Sequence, residues 1–421
     1  MKTTFLLIVG FLWSGSGIKL QEKSIIKPAE NLLCLNTDTR NYYRINDNGI
    51  YIYSGSENKK AGKHEFFVAQ EKITPTGLWM TLSPMDSVRK YYKQGKFPLS
   101  PVPKNNPTQK PVKKGKLSGI RIALDPGHIA GDRATADLER KIVPIEENKE
   151  KGILNATVIE GVLTLATANH LKELLEKEGA EVLMTRDKPN VASFGMSFGD
   201  WKAKKFKSHI DSLLKRGEIS KKKYDFYRLR AREEIIFRDL FLQEDLKERA
   251  KLINAFKPDI ALIIHYNADE KNTDWIKPTK KNFCMAFVPG GFSGNLLQKQ
   301  EYRIHFLRLL CSPALSLSVK YAGIICREFE KTLDVPLARS SDAEYLQETS
   351  VFTGEPGVFA RNLALTRLLT CPLVYGETLY QDNEKEYLNL DHTRFGQGQT
   401  PQRVMDVVNA YYSGVLKIFS K

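Results

Sequence analysis

Ile120-Arg121-Ile122-Ala123-Leu124-Asp125-Pro126-Gly127-His128 is a short apolar run that ends in a Pro-Gly step and hands the chain straight to an imidazole. Two further runs share this pattern. Ile260 to Ile264 leads into His265-Tyr266-Asn267-Ala268, and Leu373-Val374-Tyr375 leads into Gly376-Glu377. Each reads as a buried strand followed by a metal-capable or proton-transferring side chain. Between the first two, Val158 to Lys177 predicts a helix. Val162, Leu165, Ala166, Leu171 and Leu174 stand at helical spacing, Glu160 lies in the first turn, and Gly179 is the stop.

Working outward, strands and helices alternate from Gly119 onward. Glu181 to Met184 is the next strand and Glu244 to Phe256 the next helix; Gly357 to Leu369 reads as helical. Thr400 and Pro401 open a last helix, with Val404, Val407, Tyr411, Val415 and Ile418 on one face. This alternation predicts an α/β fold: a mostly parallel sheet covered by helices on both faces. In such sheets chemistry gathers beyond the carboxyl ends of the strands.

That rule brings His128, Glu160, His265 and Glu377 toward one point. A lone histidine after a strand is usually a satisfied structural residue, but two in one sheet are unlikely to coincide by chance. Glu160 alone would suit the helix dipole. Glu377, in an apolar setting, requires a partner, a metal or a catalytic task, because an unpaired buried carboxylate is costly. Two imidazoles and two carboxylates are the inventory of a mononuclear zinc hydrolase. His64, His170, His209, His305 and His392 read as structural or exposed.

The chain has 421 residues and a net charge of +15. The charge favours an anionic partner, but no finger spacing, zipper or aromatic signature accompanies it, which argues against nucleic acid. Residues 1–17 read as an export signal: Met1-Lys2, an apolar stretch from Phe5 to Trp13, then Ser14-Gly15-Ser16-Gly17. A buried terminal segment is the plain alternative. The apolar run is too short to span a bilayer, and no later segment is apolar enough. Cys34, Cys284, Cys311, Cys326 and Cys371 form no CxxC pair, which argues against cysteine-based zinc binding.

Residues 25–100 suggest a small β-rich domain or a poorly packed leader. Tyr42 to Ile45 and Ile50 to Tyr53 flank a hairpin turn, and Glu65 to Ala69 and Leu78 to Leu82 offer further strands. Residues 101–118, with Pro101, Pro103, Pro107 and Pro111 among lysines, read as an extended linker. The remainder, 119–421, carries two long insertions. Segment 188–243 is basic and aromatic, fit for an anionic substrate or acidic surface, or simply a solvated helical face. Segment 269–354 is mixed in character.

These motifs, in this order, resemble the zinc-dependent N-acetylmuramoyl-L-alanine amidases of bacterial peptidoglycan. The family opens on a strand ending Asp-Pro-Gly-His, as Asp125 to His128 do. It continues with a glutamate opening a helix (Glu160), a glycine (Gly179), a strand and Thr-Arg-Asp (Thr185-Arg186-Asp187). A helix carrying Arg249 and Asn254 then leads past Asp259 to His265-Tyr266-Asn267-Ala268, and the chain closes on Glu377, Asn383 and Glu384. The resemblance implies that His128, Glu160 and His265 bind Zn2+ and that Glu377 is general base, then acid. It implies peptidoglycan as partner and an exported, periplasmic or cell-envelope location. Some relatives carry an inserted helix that blocks the site until a protein partner removes it. Segment 269–354 lies in a comparable place, which implies either gating with an activating partner or a plain ornamental insertion. The chain departs from the family at Ile129, where glycine is usual, and at Tyr375-Gly376, where an apolar pair is usual; the 32 positions from His128 to Glu160 are also a long interval. Rival functions are another zinc peptidase or deacylase, and a non-catalytic peptidoglycan-binding or regulatory protein.

Overall fold

The computed structural model describes residues 28–98, 115–272, 275–395 and 399–419. The export-signal reading of 1–17 and most of the 101–118 linker lie outside them. The chain divides into two compact units, one of residues 1–104 with Gly291–Ser316, the other of residues 105–290 with Leu317–Lys421.

The first unit carries a three-stranded antiparallel sheet of β1 (Tyr43–Asn46), β2 (Gly49–Ile52) and β3 (Phe66–Ala69). Asn46 pairs with Gly49, so Asp47-Asn48 is the two-residue turn expected of this sequence. Leu78 to Leu82, expected as a strand, belongs instead to the helix Ile73–Leu82. The buried residues Ile73, Thr76, Gly77 and Met80 explain why, since they recur at helical rather than alternating spacing. Helix Gln300–Cys311 also belongs to this unit, although it was read as part of the 269–354 insertion. Its unbroken burial from Arg303 to Cys311 leaves no solvated face from which sequence periodicity could place it.

The second unit is built on a seven-stranded sheet in the order β10-β11-β9-β12-β8-β4-β7. Its members are β4 (Arg121–Pro126), β7 (Glu181–Met184), β8 (Ile260–Asn267), β9 (Met285–Val288), β10 (Ser350–Phe352), β11 (Val358–Arg361) and β12 (Leu373–Tyr380). The other two strands, β5 (Ile142–Ile145) and β6 (Ala156–Ile159), pair only with each other. Strands β7, β4, β8 and β12 run parallel, and antiparallel pairings occur at β12–β9 and β11–β10. β8 is buried along nearly its whole length, as a central parallel strand covered on both faces must be. On one face, helix Leu242–Phe256 contributes Ala250 and Ile253 to a core with Ala123, Ile263 and Leu373. Helix Glu160–Lys177 packs against β4 and β8, and against the last helix, Gln402–Phe419. The expected fold class, with its small N-terminal β-rich domain, is therefore present.

One local expectation changes. Gly357 to Leu369 is not one helix: Val358–Arg361 pairs as β11 before the short helix Ala364–Leu368. Val358-Phe359 is a β-branched and aromatic pair suited to a strand. Segment 269–354, of mixed character in sequence, supplies β9, β10 and helix Ala314–Leu333. Within that helix Ser318 Oγ accepts from the Leu373 amide at 2.9 Å, at the start of β12. Segment 188–243 folds into short helices, including Phe198–Lys204, Phe206–Lys215 and Lys221–Leu229. Ser197 and Ser220 cap the first and third. These helices enclose Trp201, Ile210, Tyr224, Tyr227, Phe237 and Phe241, together with Ile129.

A buried ionic network holds the end of β4. Arg249 pairs with Asp245 at 2.6 Å, lies 3.5 Å from Asp125, and donates to the Pro126 carbonyl at 3.1 Å. Asp125 also accepts from Thr185 Oγ1 at 2.5 Å. Arg249→Met should cost about 3–5 kcal/mol, because two acidic groups lose their buried cation. Chemical denaturation of the variant beside wild type measures it; an unchanged midpoint would show the network to be dispensable.

Candidate metal centre

The Pro-Gly step after β4 does two things. Gly127 donates to Ile264 O at 2.9 Å, tying the turn to β8. It also leaves room for the His265 ring, since a Cβ on Gly127 would stand 2.2 Å from that imidazole. His128 follows with φ 54°, a left-handed conformation uncommon outside glycine. Arg186 fixes this strained turn from beneath, donating to Pro126 O, Gly127 O and Gly161 O at 3.0–3.1 Å. Thr164 Oγ1 donates to the same Gly127 carbonyl at 2.6 Å.

Glu160 arrives from the other side. β6 runs directly into helix Glu160–Lys177, so this carboxylate sits at the helix N-terminus, favoured by the dipole. Its Oε1 lies 2.9 Å from His265 Nδ1 and accepts from the Tyr266 amide at 3.2 Å. Its Oε2 lies 3.3 Å from His128 Nε2. The two imidazoles stand edge to face with centroids 4.8 Å apart. His128, Glu160 and His265 thus each bring a ligand-type atom to within 4.8 Å of the others. His265 is further oriented by Tyr375, which stacks on it at 4.5 Å. The departure at Tyr375 therefore has a structural use.

Glu377 lies within β12 rather than beyond it, because the strand runs on to Tyr380. It is in register with His265 on β8, so the two residues are direct neighbours across a parallel strand pair. Glu377 is partly buried. Burial, reinforced by Glu160 and opposed by His265, pushes its carboxyl up to about 7.

Two further residues complete the centre, and neither was singled out in the sequence. Glu139, the last residue of helix Arg133–Glu139, lies 3.0 Å from His128 Nδ1 and accepts from the amides of Ile129 and Ala130. Burial opposes its charge, but His128 and the two amides outweigh burial and hold the carboxyl below its ordinary range. Lys141 places Nζ 3.4 Å from Glu160 Oε2, because its backbone is the next rung of the β5–β6 ladder opposite Glu160. Both lie in the long interval from His128 to Glu160, whose stretch Leu138 to Ile142 gave no site residue from sequence.

The electrostatics suit a cation. Burial, opposed by Glu160 and Glu139, lowers the His128 pKa and so favours the neutral ring. Burial works against the charge on Glu160, yet His128, Lys141 and His265 hold its carboxyl well below the usual carboxylate range. Glu160 Oε2 is buried and accepts no hydrogen bond among the described residues. A carboxylate between two imidazoles, whose Oε2 lies 3.3 Å from His128 Nε2 and 3.4 Å from Lys141 Nζ without a hydrogen bond, fits one zinc ion with an open coordination position. Glu139 would then be the outer carboxylate that fixes the His128 tautomer.

The family model described as N-acetylmuramoyl-L-alanine amidase matches residues 122–400. The chain belongs to this family. The amidase chain is also 36% identical over 117 residues to a protein described as the probable cell wall amidase LytH, of Staphylococcus saprophyticus. That match covers 28% of this chain and spans a third (33%) of the relative's length. Among solved structures, it is similar to the CwlD amidase from Clostridioides difficile in complex with the GerS lipoprotein. The identity there is 18% and the TM-score 0.38, over 72% of this chain and 98% of that one. The catalytic domain of CwlV from Bacillus (Paenibacillus) polymyxa is similar at 15% identity and TM-score 0.37, over 71% and 97%.

Two substitutions probe the amidase centre. Glu139→Gln should weaken zinc binding roughly 10–100-fold, as loss of an outer-shell partner does, measured by competition against a chromophoric chelator. Gly127→Ala should lower zinc content more severely, since the new methyl group needs space held by the His265 ring. Full zinc occupancy in both variants would remove the geometric argument for this centre.

Proposed function

We propose that this amidase hydrolyses the amide between N-acetylmuramic acid and L-alanine of peptidoglycan. In this reading His128, Glu160 and His265 hold one Zn2+ and Glu377 transfers the proton. The supporting observation is the approach of the His128, Glu160 and His265 ligand atoms to within 4.8 Å, with Glu377 one strand away in register with His265. When bound, zinc supplies Lewis acidity that polarises the amide carbonyl and brings water within reach of deprotonation near neutral pH.

The chain's own residues do the rest. Glu377 accepts the proton lost by water as its oxygen bonds to the lactyl carbonyl carbon. A carboxyl tuned near neutrality suits both halves of this exchange. The C–N bond then breaks, and Glu377 returns the proton to the α-amine of L-alanine. Tyr375 keeps the His265 ring from turning, and Glu139 keeps His128 in a single tautomer. The reading of residues 1–17 as an export signal supports an exported, periplasmic or cell-envelope location, where the polymer lies. Among the described residues no single helix is long and apolar enough to cross a membrane.

The test is mass spectrometry of purified peptidoglycan after incubation with the protein. Stem peptides with a free L-alanine amino terminus should be released, and a zinc chelator should abolish release. Glu377→Gln should lower kcat about 10²–10⁴-fold while zinc content stays that of wild type. Release of peptides cut at another bond would make the chain a different amide hydrolase. An intact polymer under all conditions would make it a non-catalytic binder.

A further inference from the structure

The helical segment 188–243 holds fourteen lysines and arginines against seven aspartates and glutamates, a net +7 of the chain's +15. Nothing in the hydrolytic site uses this charge. Its distribution is not that of a merely solvated face. Helix Lys221–Leu229 buries Tyr224 and Tyr227 inward. Lys222, Phe226 and Leu229, spaced i, i+4 and i+7, therefore share the opposite face. Leu229 is 70% exposed and Phe226 is 36% exposed, and Leu229 is the most exposed large apolar side chain among the described residues. Around them, Lys222, Lys223, Arg230 and Arg232 are exposed and have no carboxylate partner among the described residues. Lys221, by contrast, is paired with Asp225.

We propose that this face seats the protein on an anionic phospholipid surface. Leu229 and Phe226 enter the headgroup boundary while the surrounding cations meet lipid phosphates. Exposed Leu and Phe on a helix ringed by Lys and Arg is the composition of an interfacial helix. Cations without a carboxylate partner supply the charge complementarity, although Lys223 also lies over the Tyr227 ring at 5.4 Å; each favours an anionic leaflet severalfold. A soluble polyanion would account for the cations but gives Leu229 and Phe226 no apolar phase to enter. The face is also rigid. It is the outer side of the core that buries Trp201, Phe237 and Phe241, and that core includes Ile129, the residue next to His128. Asn190 adds a second tie, its amide donating to Ile129 O at 2.7 Å and its Oδ1 accepting from Gly131 N at 2.6 Å. Docking on lipid would therefore hold the hydrolytic site at a fixed attitude to the bilayer.

Vesicle co-sedimentation of the full chain tests this. The probes are phosphatidylcholine vesicles with and without phosphatidylglycerol, and an inorganic polyphosphate competitor. Wild type should partition at least about tenfold better onto the anionic vesicles. The double variant Phe226→Ser/Leu229→Ser, with every charge retained, should lose about tenfold in partitioning. Lys222→Ala/Lys223→Ala/Arg230→Ala should remove most of the preference for anionic lipid. Both variants should keep wild-type circular dichroism and wild-type hydrolysis of solubilised peptidoglycan, which separates this result from the amidase reading. Equal partitioning onto neutral and anionic vesicles would overturn the proposal. So would a Phe226→Ser/Leu229→Ser variant that binds like wild type, or complete displacement by polyphosphate, since either would mean adsorption of a polyanion type.

Discussion

The whole centre depends on two buried guanidinium groups gripping the backbone where β4 ends. Arg186 and Arg249 between them take the carbonyls of Pro126, Gly127 and Gly161. Carbonyls at a strand end would otherwise be hard to satisfy away from water, and the bond to Gly161 O ties the helix start to the same turn. The clamp lets His128 keep a left-handed backbone, brings the start of helix Glu160–Lys177 against the turn, and leaves Glu160 facing both imidazoles. Two arginines this close disfavour each other. Burial, with Arg249 adding to it, lowers the Arg186 pKa to about 9, whereas Arg249, despite burial, is raised by Asp245 and Asp125. The acidic pair is thus what makes the double clamp tolerable.

Around the clamp, each residue of the His128-Glu160-His265 cluster is oriented by a second contact. Glu139 faces His128, Tyr375 stacks on His265, and the Tyr266 amide donates to Glu160. Tyr266 is itself held by Thr167 at 2.8 Å, from two turns further along the Glu160 helix. Ile129, unusual for the family, is explained by its neighbours: it is a core residue of the helical insertion. The same insertion supplies the Ser193 amide that donates to Asp245 at 2.6 Å.

Strand ends were legible because β4, β8 and β12 are apolar runs closed by conspicuous polar residues, and that pattern carried His128, His265 and Glu377. Glu160 was legible from helical periodicity, although its helix begins two residues later than the pattern suggested because Val158 and Ile159 pair in β6. Glu139 and Lys141 were hidden, since charged residues in a charged stretch give no local cue; their roles arise only when β5 and β6 form their ladder. Helix Gln300–Cys311 was misassigned for a related reason. Its partners lie more than two hundred positions away, as the Arg303–Glu65 ion pair at 2.6 Å shows, and apolar periodicity records that an element is buried without recording against what. Asn254 and Asp259, quoted as motif members, turned out to hold backbone: Asn254 accepts from the Thr370 amide and Asp259 from the Arg121 amide.

The register of Glu377 opposite His265 would fix the dimensions of the proposed reaction. Neighbouring strands stand about 4.8 Å apart wherever a sheet forms, so the gap between these two residues is a property of hydrogen-bonded backbone. No loop length enters it. The chain can lengthen the interval from His128 to Glu160, add a helical lobe after β7 and divert Gly291–Ser316 into another unit while that gap stays constant. Such a scaffold separates the chemistry from the accessories, leaving the accessories free to change what the enzyme approaches and from which side.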